Sequence, residues 1–294
     1  MTTSTPRAQI PQIGSTSPIF NANFLADGLF PDLELISSDA AHFYVHSAHL
    51  LANSANAFGG LLLQPCHSLA LSEAAATVEI VLRVIYGISC TTPSPPPFEA
   101  AEAALDALVK YGVPVAQLAA PTYPLHELLR SYAPHYPIET YALVAHHELE
   151  DLARAVSAHL LAYDISRVTD ELVIKMGPVY FSRLVKLQRS RMDALRDIIL
   201  KPPAMHPVTP ACSEELQREL SRAWAFASAE MVWNALPSIS TYALESTFTQ
   251  AASSIPCADC QLMLRNRIQE VVLQWTSVKV RPALDFVYCF RWRM

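Results

Sequence analysis

Three groups of residues in this chain have side chains and spacings that could do chemistry. His42, His46 and His49 fall within HFYVHSAHLL; on one helix, spacings of four and three would set three imidazoles on one face, where they could hold zinc. HHELED (146–151) offers His146 with Glu150 and His147 with Asp151 at i,i+4, a metal-holding spacing that departs from His-Glu-x-x-His because position 151 is aspartate. PCADC supplies Cys257-x-x-Cys260, which needs two more ligands to make a structural zinc site. Only the isolated His206, Cys212 and Cys289 are left to supply them.

The elements that must position these groups decide what each becomes. DLELIS (32–37) and HFYVH (42–46), separated by SDAA, read as two short strands joined by a tight Ser/Asp turn, a β-hairpin. Period two then sets His42, Tyr44 and His46 on one side and Phe43 and Val45 on the other, while His49 belongs to the helix that follows. The three histidines are therefore not expected to converge. His46 reads as a structural group at the strand-to-helix joint, hydrogen-bonded to backbone. The helix that carries HHELED buries Tyr141, Ala145, Leu149, Leu152, Val156 and Leu160, which leaves Glu150 and Arg154 as a solvated i,i+4 pair.

For Cys257 and Cys260 the expectation is packing as small apolar groups where a helix begins, with zinc as the competing reading. A redox role would want a thioredoxin-like βαβ context, which this stretch lacks. No catalytic or cofactor-binding residue is assigned and no cofactor is expected. Cys257 and Cys260 remain the candidate metal ligands.

Beyond the hairpin the pattern turns helical. Leu50, Leu51, Ser54, Phe58, Leu61 and Leu62 suggest two short helices broken at Asn53 and Ser54. SLALSE (68–73) alternates briefly, and its Ser72 is placed to cap a helix over 73–88 that buries Val78, Val81, Leu82 and Ile85. The prolines of TTPSPPPFEA end that run and start the next helix, FEAAEAALDALVKYGV, closed by Gly112 and Pro114. From there the spacing predicts helices over 125–133, 138–162, 167–175, 178–199, 213–235, 239–253 and 258–280. The helix over 178–199 sets Arg183, Lys186, Arg189, Arg191 and Arg196 outside a seam of Phe181, Leu184, Val185, Met192 and Leu195, diluted by Asp193 and Asp197. DFVYCFRWRM (285–294) does not continue the pattern. The expected fold class is α+β: a disordered Ser/Thr/Pro-rich tail over 1–23, a small α+β domain over 24–115, and helical regions over 116–200 and 201–294.

Composition narrows the function classes. The chain has 294 residues, 51% hydrophobic and 16% charged, so some apolar surface is expected to serve partner contacts. No run of about 18 apolar residues appears, which argues against a membrane span. The N-terminus lacks the apolar stretch of a signal peptide, and the six cysteines read as reduced thiols in the cytoplasm or nucleus. A net charge of −6 disfavours nucleic acid as a partner. Seven glycines leave little scope for a phosphate-cradling loop, and no Gly-x-Ser-x-Gly elbow or carboxylate pair is present. The chain is not expected to be an enzyme.

DLELISSDAAHFYVHSAHLLANSANAFGGLL, then LALSE, then VEIVLRVIYG resembles the BTB/POZ domain over roughly residues 26–115. The residues that carry the likeness are Asp32, Phe43, Val45, His46, Leu50, Ser54 and Phe58. With its helical continuation the chain is similar to fungal BTB-domain proteins whose C-terminal half is helical. That resemblance implies a protein–protein interaction module that dimerises with itself or another BTB protein, the helical region serving as scaffold or partner surface. Adaptor work on a cullin scaffold is an alternative it also implies, although the stretch between Phe58 and Leu69 is short and lacks the apolar-x-Glu loop of such adaptors. A zinc-dependent transcriptional regulator built on Cys257 and Cys260 is a further alternative. Ser47 stands where the family often has lysine or arginine, opposite Asp32, which counts against a charged co-repressor pocket.

Overall fold

A computed structural model describes residues 15–251 and 253–278. They form an α+β chain that divides into two compact units: residues up to 132 together with 147–152, and residues 133–146 together with those from 153 onward. The boundary therefore lies past 115, and the helices expected to begin a separate region at 116 are shared between the units. Cys289 and DFVYCFRWRM lie outside the described residues.

The N-terminal unit is built on a three-stranded sheet. β1 (Leu33–Ile36) pairs antiparallel with β2 (His42–Val45), Leu33 opposite Val45 and Ile36 opposite His42. β3 (Ser68–Ala70) runs parallel to the other edge of β1, giving the order β2-β1-β3. Alternation decides the faces, so Leu33, Leu35, Phe43 and Val45 are buried while His42 and Tyr44 are partly exposed. Helices α1 (Ser47–Ala52), α2 (Ala75–Ile85), α3 (Phe98–Lys110), α4 (Val115–Leu118) and α5 (Pro124–Tyr132) belong to this unit. Leu50, Val81, Leu82, Leu105 and Leu108 fill its core.

Four local features differ from expectation. Residues 15–23 are ordered: the Ser17 amide donates to the His42 carbonyl at 2.9 Å, and Phe20 is fully buried, edge-on to Phe24. One buried aromatic ring outweighs the polar composition around it. The second short helix is absent, because Ala57, Phe58, Gly59 and Gly60 all have positive φ and form successive turns. Ser54 organises them, accepting from the Phe58 amide at 2.7 Å and donating to the Tyr111 carbonyl at 2.6 Å, and Phe58 stacks on Tyr111 at 4.1 Å. Helix α2 is capped by Asp39 of the hairpin turn, whose carboxylate accepts from the Ala75 amide at 2.8 Å, and not by Ser72.

The fourth difference is in HHELED. Glu148 adopts a φ of 55° and divides the helix expected over 138–162 into α6 (Pro137–His146) and α7 (Glu150–Ser157), followed by a 3-10 turn over Ala158–Ala162. His147 comes within 3.5 Å of the Asp106 carboxylate, and Asp151 faces His126 from a distance.

The C-terminal unit also contains α8 (Asp170–Ile199), α9 (Glu214–Asn234), α10 (Thr241–Ala251) and α11 (Ala258–Ser277). Gly177, at φ 74° and ψ 162° before Pro178, interrupts α8, as the expected gap between 175 and 178 anticipates. The seam of α8 is Leu184, Leu187, Arg191 and Leu195, all buried, whereas Val185 is exposed. Arg191 thus departs from the solvated face predicted for it. Its guanidinium lies over Trp275 at 4.3 Å and donates to the carbonyls of Pro237 at 2.8 Å and Val278 at 2.9 Å. Trp224 stacks on Phe248 at 4.0 Å at the middle of this core. Among the described residues no helix is long and apolar enough to cross a membrane.

Candidate metal centre

The C-terminus of α8 fixes where the next loop begins. Its last carbonyls have no partner within the helix, and side chains from α9 and α11 take their place. Trp224 Nε1 and Ser228 Oγ both donate to the Ile199 carbonyl, at 2.7 and 2.9 Å. Arg267 donates to the carbonyls of Ile198 at 2.6 Å and Lys201 at 3.0 Å. The segment that leaves this anchor, KPPAMHPVTPAC (201–212), holds four of the chain's prolines and no helix or strand, only the isolated bridge between Thr209 and Cys212. Ser213 then caps α9, accepting from the Leu216 amide at 3.3 Å.

This loop carries His206 and Cys212 to the first turn of α11, where Cys257 occupies the N-cap position and Cys260 the first turn. His206 Nε2 lies 3.4 Å from Cys257 Sγ and 3.3 Å from Cys260 Sγ, and Cys212 Sγ lies 3.7 Å from Cys260 Sγ. All four donor atoms fall within 4.8 Å of one another. Cys212 and Cys260 are buried, and His206 and Cys257 are half-buried at the rim.

Backbone groups orient the two donors at the rim. The His206 Nδ1–H donates to the Pro207 carbonyl at 2.7 Å, which fixes the tautomer and turns the Nε2 lone pair toward the sulfurs. That same hydrogen bond raises the imidazole's proton affinity. Backbone amides of Cys260 and Asp259 face the Cys257 sulfur at the helix N-terminus and hold its thiol down to about 7, the Cys260 amide contributing most. Burial pushes Cys260 up to about 12 and raises Cys212 as well. The thiol at the rim is thereby the most acidic of the three, and burial disfavours ionisation of the two behind it.

The histidines at 42, 46 and 49 are not brought together. His42 Nδ1 pairs with Glu34 at 2.9 Å, and His49 stacks on Tyr86 at 4.2 Å with Nε2 3.3 Å from the Ile85 carbonyl. His46 is buried, with Nε2 3.0 Å from the Leu29 carbonyl and Nδ1 3.0 Å from the Tyr86 hydroxyl. Since the carbonyl can only accept, Nε2 bears the proton and Nδ1 accepts from Tyr86, whose oxygen in turn accepts from the His46 amide at 2.9 Å. Beside it, Asp32 takes both the amide and the hydroxyl of Ser47. Burial opposes its ionisation, but these bonds outweigh burial and hold the carboxyl below its ordinary range.

Of the residues the sequence singles out for metal, Cys257 and Cys260 thus meet His206 and Cys212. The local signal was the Cys-x-x-Cys pair before a helix; the other two donors lie in a proline-rich stretch whose course no periodicity reveals. An open cleft of about 620 Å³ in the N-terminal unit gathers His126, Glu127, Arg130 and Ser131. Local bonds engage its polar groups: Ser131 donates to the Leu128 carbonyl at 2.7 Å, Ser89 lies 3.2 Å from the neighbouring Thr91 hydroxyl, and Glu127 accepts from Thr91 at 3.0 Å. Compared with protein-family models, curated proteins and solved structures, the chain finds no match.

Proposed function

We propose that the chain is a protein–protein interaction protein without catalytic activity, whose N-terminal unit is a BTB/POZ-like module that pairs with a second copy of itself. The observation that carries this reading is a small apolar projection. Residues Ala26 to Leu29 close a tight turn through Asp27 at φ 53° and Gly28 at φ 77°, and present Leu25, Leu29 and Phe30 at 52%, 64% and 68% exposure. Exposed apolar side chains held rigidly together are characteristic of contact surfaces. Rigidity here comes from His46, which grips the Leu29 carbonyl and joins the projection to the end of β2. The hairpin, the third strand and the helices after it follow the order that the BTB resemblance implies, and Phe43, Val45, Leu50 and Phe58 are all core residues.

Light scattering of the full chain tests the reading. The expected mass is that of a dimer, and Leu29→Asp with Phe30→Asp converts it to a monomer with unchanged far-ultraviolet circular dichroism, because only exposed side chains are altered. A folded wild-type chain that stays monomeric at high concentration overturns the proposal.

A further inference from the structure

We propose that His206, Cys212, Cys257 and Cys260 form a four-coordinate structural zinc site that fastens the loop between α8 and α9 to the start of α11. The distances carry the assignment. Zinc bonds of about 2.3 Å to sulfur and 2.0–2.1 Å to nitrogen give a tetrahedron whose S···S edges are about 3.8 Å and S···N edges about 3.6 Å. Three of the six edges are close to these values, 3.7 Å for Cys212–Cys260 and 3.3 and 3.4 Å for the imidazole against Cys260 and Cys257, and the other three are no longer than 4.8 Å. A disulfide needs sulfurs about 2.0 Å apart, so no pair among these three cysteines is joined.

The donor set selects the metal class. Three thiolates and one imidazole in tetrahedral array suit zinc, whereas calcium and magnesium take oxygen donors. All four positions are filled by protein, with no position left for water, which is the pattern of a structural and not a catalytic centre. Loading is balanced by proton release: three thiol protons leave to solvent, three Zn–S bonds and one Zn–N bond form, and no sulfur changes oxidation state. The resulting centre carries one net negative charge, and it sits at the N-terminus of α11, where the helix presents its unpaired amides.

The loop also needs a fastening. Its Leu200, Met205 and Val208 are exposed at 63%, 57% and 65%, so apolar burial contributes little along its length. Four prolines limit the backbone donors it can offer. Of its residues only Pro203 and Cys212 are buried. A metal that joins positions 54 residues apart supplies what packing does not.

The test is metal analysis of the full chain purified without added metal or chelator, with thiol counting on the same sample. One zinc per chain with all thiols reduced supports the proposal. No stoichiometric metal, iron or copper in its place, or a disulfide within the cluster overturns it. Cobalt substitution should give the thiolate-to-cobalt charge transfer and intense visible bands of tetrahedral coordination; weak octahedral bands refute the geometry. His206→Ala, at the rim where it cannot unfold the core, should lose zinc to a chelator concentration that leaves the wild type loaded, while Cys66→Ser retains it. Should His206→Ala hold zinc as tightly as wild type, the four-donor site is wrong. Alkylation gives a readout without any variant: zinc should protect Cys212, Cys257 and Cys260 but not Cys66. These outcomes are independent of whether the N-terminal unit dimerises.

Discussion

The two units of this chain treat histidine in opposite ways. In the N-terminal unit, three imidazoles close in sequence do not converge: His42 pairs with Glu34, His46 with the Leu29 carbonyl and the Tyr86 hydroxyl, and His49 with the Ile85 carbonyl and the face of the Tyr86 ring. In the C-terminal unit, one imidazole from a proline-rich loop is carried to three sulfurs, the farthest 54 positions away. Closeness along the chain is thus a poor guide to a ligand set where a strand meets a helix, because period two and period 3.6 point neighbouring side chains in different directions. What builds a site is convergence of anchored elements, and here the anchors are the capped end of α8 and the first turn of α11.

The sharpest way to break this comparison is to remove a donor from the C-terminal cluster. Cys260→Ser is expected to lower unfolding free energy by more than about 3 kcal/mol in the zinc-loaded protein, since structural zinc binds with a free energy on the order of 10 kcal/mol that adds to folding. With excess chelator the gap between wild type and variant should narrow to about 1–3 kcal/mol or less, the cost of a serine hydroxyl in place of a buried sulfur. Denaturant unfolding with and without chelator measures both differences. A variant equally destabilised in both conditions would make Cys260 a packing residue and erase the contrast between the units.

How far these features were legible in the sequence follows the same physics. The hairpin was legible because DLELIS and HFYVH alternate, and His46 at the strand-to-helix joint followed from the change of period. The α11 start and its Cys-x-x-Cys pair were legible as local patterns. Asp39 as the cap of α2 was not, since a capping carboxylate 36 positions upstream leaves no mark beside the helix it caps. Nor was the turn at Ala57–Gly60, where apolar residues at helical spacing concealed left-handed backbone that Gly59 and Gly60 accept without strain. Arg191 was misplaced for a related reason: a guanidinium reads as solvated until an indole and two carbonyls are brought to it from other elements. The convergence of His206 and Cys212 on Cys257 and Cys260 depends on contacts between elements, which spacing alone does not encode.

His46→Ala comes next in expected effect. It deletes a buried ring bonded at both nitrogens and leaves the Leu29 carbonyl and the Tyr86 hydroxyl without those partners, at a cost of roughly 2–3 kcal/mol. Zinc content should not change. Because the same ring steadies the projection bearing Leu29 and Phe30, dimer dissociation should also become measurable at higher concentration than in wild type. A His46 variant that loses metal would overturn the comparison. His49→Ala should cost less, about 1 kcal/mol, the value of a stacked contact on Tyr86 with one long hydrogen bond.

The smallest effect is expected at His42, and its pH dependence is what separates it from the other two. The Glu34 carboxyl is held below its ordinary value of 4.5, first by the His42 hydrogen bond against the opposing effect of burial, with Tyr44 and Ser68 assisting. A carboxyl depressed in the folded state contributes stability above its unfolded value and loses it as the pH falls through the folded one. His42→Ala should therefore destabilise by less than about 1 kcal/mol near neutral pH, as a partly exposed pair does. The difference from wild type should then shrink as the pH drops below 4.5, once Glu34 protonates in both folded proteins. Thermal unfolding of the two proteins across that range, at constant ionic strength, reads the effect. A gap that widens as the pH drops below 4.5 would mean that His42 acts through some group other than Glu34, and the first histidine of the three would need a different partner.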